Sequence, residues 1–178
     1  MKEGSLSRLQ KRCADERIIR TNCGILCHPM LNLSCAIPIT EPDPESAVLQ
    51  WFTLLGELCA AIDYDTAESI FADDVVSFGT RADIVTGLDN LRRNQWEGIW
   101  GNITEFKVAT ESVQGSGNQE VAWGVAIWTS TGFDEDHKPF HRPGRATVTL
   151  ERRDGTWLAT HTHFSLNPGT PSKTYGRG

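Results

Sequence analysis

The chain has 178 residues, enough for one domain with a full core, and its formal net charge of −6 disfavours nucleic acid or an anionic membrane as the main partner of its surface. With 39% apolar and 22% charged residues it reads as a globular protein rather than a disordered one. No apolar stretch reaches the roughly 20 residues that cross a bilayer, and the longest, Gly24 to Ile39, is broken by His28, Pro29, Asn32 and Pro38.

The first forty residues mix Lys2, Arg8, Lys11, Arg12, Arg17 and Arg20 with Glu3, Asp15 and Glu16, and no clean apolar region follows, so a removable signal is not expected. Four of the five cysteines, Cys13, Cys23, Cys27 and Cys35, lie here. Cys23, Cys27, His28 and Cys35 have no standard zinc spacing, so no metal is expected. Residues 1–43 are read as a poorly ordered, cysteine-containing extension. An odd cysteine count without a paired framework points to a reducing compartment and a cytoplasmic location.

Composition changes at Glu41-Pro42-Asp43-Pro44, which marks the start of a domain expected to run from 44 to 170, with a flexible tail at 171–178. Asp43 can cap and Pro44 suits the first helical position. Val48, Trp51, Phe52, Leu55, Leu58, Cys59 and Ile62 then recur at helical spacing, predicting an amphipathic helix. Asp65 with Glu68 reads as a second start signal for a short helix through Ile70 and Phe71. A short strand at Val75 to Phe78 and a third helix from Gly87 to Trp100 follow. Beyond them, Ile103 to Val113, Val121 to Phe133, Arg145 to Arg152 and Trp157 to Leu166 are predicted as strands of an antiparallel meander, with Gly115-Ser116-Gly117 as a hairpin turn. Helices first and strands afterwards mean an α+β fold. In the strand from Val121, the residues Val121, Trp123, Val125 and Ile127 are bulky on one face, while Ala122, Gly124 and Ala126 leave the other bare for a close-packed helix or a ligand.

The final hairpin holds the polar residues of most interest. Alternation sends His161 and His163 to the same side of a strand. A three-residue loop at Arg153-Asp154-Gly155 would pair Leu150 with Leu158, Thr147 with His161 and Arg145 with His163. That register separates an apolar face of Val148, Leu150, Leu158, Phe164 and Leu166 from a face carrying Arg145, Thr147, Thr149, His161 and His163. The second face suits a carboxylate or an enolate, because arginine is a fixed cation with a forked donor set and histidine titrates near neutral pH. The alternative is an exposed or subunit-facing sheet surface. Two histidines without a compelling third ligand do not make a metal site. No nucleotide-binding loop and no nucleophile elbow is visible, so no cofactor is expected.

The run Phe71-Ala72-Asp73-Asp74-Val75-Val76-Ser77-Phe78-Gly79, then Gly87-Leu88-Asp89-Asn90-Leu91, and finally Arg152-Arg153-Asp154-Gly155-Thr156-Trp157 through His161-Thr162-His163 resembles the SnoaL-like branch of the NTF2-like superfamily. The resemblance covers roughly residues 44–168. It implies a cone of three helices wrapped by a curved antiparallel sheet, a pocket within the cone, and frequent dimerisation through the sheet. Matched to ketosteroid isomerase, the family's general-base aspartate falls on Gly79, its oxyanion tyrosine on Leu55 and its oxyanion acid near Thr147, so that isomerisation is not expected here. The association domain of calcium/calmodulin-dependent kinase II is similar in its Arg-Arg-Asp-Gly-x-Trp turn and paired histidines, although its pocket arginine falls on Val148.

The resulting expectation is a cone-shaped homodimer that binds a small polar or anionic organic molecule. Arg145 and Thr147 would line its site, Trp123 and Trp128 would wall it, and His161 or His163 would act as general acid/base in an isomerisation, cyclisation or dehydration. The alternative is a non-catalytic oligomerisation module. No nucleic-acid or membrane partner is expected.

Overall fold

The computed structural model describes residues 36–178. Cys13, Cys23, Cys27 and Cys35, with the weak metal candidate they form with His28, lie outside that range. Among the described residues, no group of three His, Cys, Asp or Glu side chains could hold a metal ion, and no helix is long and apolar enough to cross a membrane.

The first helix, α1 (Pro44–Ala61), starts as its sequence dictates: the Asp43 carboxylate accepts from the Ser46 N–H at 2.8 Å and Pro44 occupies the first turn. Ile62, in the left-handed region at φ 57°, closes it by donating its N–H to Cys59 and Leu58 carbonyls. The second helix, α2 (Tyr64–Ala67), is capped by Asp63 rather than Asp65. The Asp63 carboxylate accepts from the Thr66 N–H at 3.0 Å, while Asp65 turns outward to pair with Arg92. A 3₁₀ turn, Glu68–Ile70, leads directly into β1 (Phe71–Phe78), so Phe71 opens a strand instead of ending a helix. β1 thus begins before the predicted Val75, because its acidic pair Asp73 and Asp74 simply faces solvent. After β2 (Ile84–Thr86), Gly87 at φ 87° admits α3 (Leu88–Leu91), which passes through a π-helical stretch at Arg92–Trp96 into α4 (Glu97–Ile99).

The remaining chain is sheet: β3 (Thr104–Val108), β4 (Gln114–Gly117), β5 (Val121–Phe133), β6 (Pro139–Arg153) and β7 (Thr156–Leu166). Gly115-Ser116-Gly117 belongs to β4 and is not the turn. The turn lies beyond it, where the Asn118 side chain accepts from the Glu120 and Val121 N–H groups at 2.9 and 3.0 Å. The strands run in the order β2-β1-β7-β6-β5-β3, with β4 also paired to β5. The sheet is curved and mixed rather than wholly antiparallel: β1, delivered from the helical half of the chain, lies parallel to the last strand, β7. Parallel neighbours need a long crossover, and here everything from β2 to β6 supplies it.

The bare face of β5 receives α1. A Cβ at Gly124 would lie 2.2 Å from Val48 Cγ1, so glycine there is what lets the helix sit against the strand. Trp51 and Phe52 follow Val48 into a core where both are fully buried, and the Trp51 indole N–H reaches the Ile70 carbonyl at 3.0 Å.

The register of the final hairpin differs from the predicted one. Asp154 and Gly155, at φ 51° and 84°, form a two-residue turn that pairs Arg153 with Thr156 and Glu151 with Leu158. A bulge at Thr160 on β7, opposite Leu150 and Thr149, then shifts the ladder, so Thr149 meets His161, Thr147 meets His163 and Arg145 meets Ser165. The bulge performs the separation of faces that the longer loop was expected to perform. Before it Trp157 and Ala159 point inward and Leu158 outward, and after it Thr162 is the inward residue while His161 and His163 face out.

Both ends of the described chain meet the body. Ile39 is fully buried, its carbonyl accepting from the Trp157 N–H at 2.9 Å, and the Trp157 indole donates to the Glu41 carbonyl at 3.0 Å. Within 171–178, Thr174 is buried, its hydroxyl accepting from the Phe133 N–H and donating to the Asn102 carbonyl, both at 2.8 Å.

Candidate functional site: an arginine-bearing aromatic pocket

Inside the curve of the sheet, between it and the α3–α4 segment, lies a cavity of about 340 Å³. Two arms of aromatic rings wall it. One runs Phe71–Trp96–Trp100, with centroids 5.0 Å apart at each step; the other runs Phe106–Trp128–Phe164, at 5.6 and 6.3 Å. The π-helical stretch matters here, because the extra residue in its turn brings both Gln95 and Trp96 to the cavity wall. Trp128 fits because Gly144 lies opposite it on β6, where a Cβ would come within 2.2 Å of the indole ring.

The polar groups of the wall form two sets. In the first, Ser77 Oγ lies 3.2 Å from Gln95 Oε1 and 2.8 Å from Thr162 Oγ1. The single Ser77 proton goes to the amide oxygen, so the Thr162 hydroxyl donates to Ser77, and Gln95 Nε2 is left without an acceptor. Gly79 permits this, since a Cβ there would lie 2.8 Å from Gln95 Cδ. The second set is on the sheet. Arg142 on β6 is 1% exposed, and its one protein hydrogen bond given by the structure is from Nη2 to the Ser172 carbonyl at 3.4 Å. Its Nε, the hydroxyl of Ser130 directly across the ladder and the indole Nε1 of Trp128 are all buried and have no hydrogen-bond partner among the described residues. Burial pushes the Arg142 guanidinium down from the ordinary arginine value, and the nearby charge of Arg81 adds to this.

Among the described residues, two arginines, Arg81 and Arg142, and no carboxylate line the cavity, in a chain whose overall charge is −6. Among the described residues that line it there is also no His, Lys or Tyr. Its one thiol, Cys59, is buried, and desolvation drives its pKa well above the ordinary thiol value. Gly79 and Leu55, onto which the isomerase base and tyrosine fall, both line the cavity and bring no titratable group.

Of the predicted site residues, only Trp128 reaches this cavity. His161 and His163 do point the same way, but on the outer face of the sheet, where both pack against Phe78 at centroid distances of 6.0 and 5.4 Å. Thr147, beside His163 in the ladder, is half-buried; Arg145 is exposed, with Nε 3.3 Å from Ser165 Oγ; and Trp123 is 50% exposed on the same face. The structure therefore groups Arg145, Thr147, Trp123, His161 and His163 together and sets them apart from the cavity. Arg142 was not among the predicted residues. Its signal is its phase, since it alternates with Gly144, Ala146 and Val148, but the strand predicted from Arg145 begins three residues too late to include it. Pro143 lies just past the last β6–β7 pair, Gly144–Leu166, where its carbonyl still accepts from the Asn167 N–H at 2.9 Å and its missing N–H interrupts no further ladder pair.

Comparison with solved structures places this architecture among NTF2-like folds. An NTF2-like superfamily protein from Salmonella enterica superposes with a TM-score of 0.59 at 17% identity, over 71% of this chain and 95% of that one. An NTF2-like protein of unknown function from Pseudomonas putida gives 0.58 at 22%, over 74% and 93%. The association domain of CaMKII from C. elegans gives 0.55 at 13%, over 67% and 93%. No curated protein matches the chain. The family model for the SnoaL-like domain matches residues 48–168, and the chain belongs to that family.

Proposed function

We infer that this protein is a small-molecule-binding SnoaL-like domain whose site is the interior cavity, and that it binds its ligand without acid–base catalysis by its own side chains. The carrying observation is the cavity itself. At about 340 Å³ it falls in the range of ligand pockets, and its lining combines the rings of Phe71, Trp96, Trp100, Phe106, Trp128 and Phe164 with a smaller charged set, Arg81 and Arg142. An isomerisation, cyclisation or dehydration needs a group that moves a proton near neutral pH, and the described lining offers only arginines and a thiol whose pKa is raised by burial. The NTF2-like fold hosts many functions, so the argument rests on the site and not on the fold.

The test is a thermal-shift series with small fused-ring aromatics, 2-naphthol and 2-naphthoate among them, on the whole chain and on a His161→Ala/His163→Ala variant. A saturable rise in Tm that persists in the variant supports the interior site. A flat response in a folded protein defeats it, and a response lost in the variant returns the site to the outer face.

A second reading accounts for that outer face. Trp123, Ile127 and Val121 are 50%, 48% and 43% exposed on one strand, with Phe78 and Ile84 further along the sheet. An apolar surface of this kind fits self-association of two copies through their sheets, with Arg145, His161 and His163 at the contact. Light scattering on Trp123→Glu tests it: a dimer that becomes a monomer supports the reading, and an unchanged mass removes it.

A further inference from the structure

The interior cavity, read above as a ligand site, carries more chemical information than its shape. Arg142 is a cation 1% exposed with no carboxylate among the described residues to balance it, and its only recorded hydrogen bond is a long one to a carbonyl. Buried charges in proteins are ordinarily paired, and an unpaired one is retained where something else supplies the opposite charge. The other unsatisfied groups at the wall reinforce the point. Among the described residues, Arg142 Nε, Trp128 Nε1 and Gln95 Nε2 are donors without an acceptor, and the Ser130 hydroxyl, which can donate as well as accept, is also unpartnered. Arg81 at the rim adds a second positive charge. Aromatic rings stand on both sides of the cavity, which suits a flat, unsaturated body. The volume, roughly eleven times the ~30 Å³ share of one water, leaves room for a fused two-ring skeleton.

We propose that the cavity binds an aromatic monocarboxylate, its carboxylate taken by Arg142 with Trp128 and Gln95 as flanking donors and its ring system held between the Trp96–Trp100 and Phe106–Phe164 walls. A phosphate ester fits less well, since a dianion would require more charged donors than the single buried guanidinium beside these walls. The proposal rests on the interior site being the ligand site, and its test separates the two claims.

Isothermal titration calorimetry compares 2-naphthoate with its neutral counterpart 2-naphthamide on the full chain, then on Arg142→Met and Arg142→Lys. On the unaltered chain the acid binds at least tenfold more tightly than the amide. In Arg142→Met the acid loses at least tenfold while the amide changes less than threefold, and Arg142→Lys keeps part of the preference for the acid. Equal affinity for acid and amide on the unaltered chain overturns the carboxylate assignment and leaves the interior site standing, as does unchanged acid affinity in Arg142→Met. No binding of either compound overturns both. The acid-against-amide comparison needs no substitution, so a variant that fails to fold does not rescue or sink the proposal.

Discussion

Replacing Arg142 by methionine should make the ligand-free protein more stable, which is the opposite of what most core substitutions do. The side chain is 1% exposed and, among the described residues, has only the 3.4 Å contact to the Ser172 carbonyl to offset its lost hydration. Replacing buried ionic groups by apolar ones of similar volume is often stabilising by about 1–4 kcal/mol, and an unpaired group sits toward the favourable end because no attraction is lost with it. Methionine keeps an unbranched stem over Gly132, where the Arg142 Cδ now packs within 2.4 Å of the position a Cβ would take, so little packing is given up. Taking about 1–3 kcal/mol and the roughly 2–4 °C per kcal/mol usual for chains of this size, the Tm should rise by about 2–12 °C. The assay is a melting curve of both proteins in a chloride buffer without organic acids. A Tm for Arg142→Met below that of the unaltered chain would mean that Arg142 is paired in some way the geometry does not reveal, and the anion site would lose its main support. A rise in Tm together with loss of acid binding would identify a residue kept for function at a cost in stability.

Three other outcomes follow from the structure. Gly124→Ala should destabilise by about 1–3 kcal/mol through overpacking against Val48, and a Val48→Ala change in the same chain should recover part of the loss, read by urea denaturation. Cys59 should resist alkylation by iodoacetamide at pH 8 in the native protein and react after unfolding, as mapped by peptide mass spectrometry. Because its folded-state pKa is raised, its contribution to stability is complete below the ordinary value of 9.0 and declines as pH rises past it, where the unfolded thiol loses its proton and the folded one does not. The Asp74 carboxylate, held below its ordinary pKa of 3.8 by hydrogen bonds from Arg153, works in the other direction. Its contribution is present above that value and fades as pH falls through the lower folded value, so Asp74→Asn should flatten the acid limb of the stability curve slightly; an unchanged acid limb would show the pair to be energetically silent.

Much of the fold was legible because its signals are local. The spacing of Val48, Trp51, Phe52, Leu55 and Leu58 defines one helical face whatever it packs against, and the small residues Ala122, Gly124 and Ala126 anticipate a close-packed helix, which proved to be α1. The site was less legible because period-two alternation says which residues share a side of a strand but not which side faces the core. His161 and His163 do lie together, yet a bulge opposite Thr149 and Leu150 fixes the side, and no residue type announces that bulge. Arg142 was hidden by its neighbours: Pro139, Pro143 and Gly144 are poor strand formers, and it is pairing with β5 that carries the strand through them. The π-helical turn that brings Gln95 to the cavity has no sequence pattern distinct from an ordinary helix.

The central claim is that ligand binds inside the curve of the sheet and not on its outer face. Indole ¹H–¹⁵N resonances test it most directly, because Trp96, Trp100 and Trp128 line the cavity while Trp123 stands on the outer face. Assigned by single Trp→Phe replacements and followed while 2-naphthoate is added, the Trp128 signal should move with saturation, Trp96 and Trp100 should follow it, and Trp123 should stay in place. Movement of Trp123 with the cavity indoles unmoved would contradict the account and place the ligand beside His161 and His163.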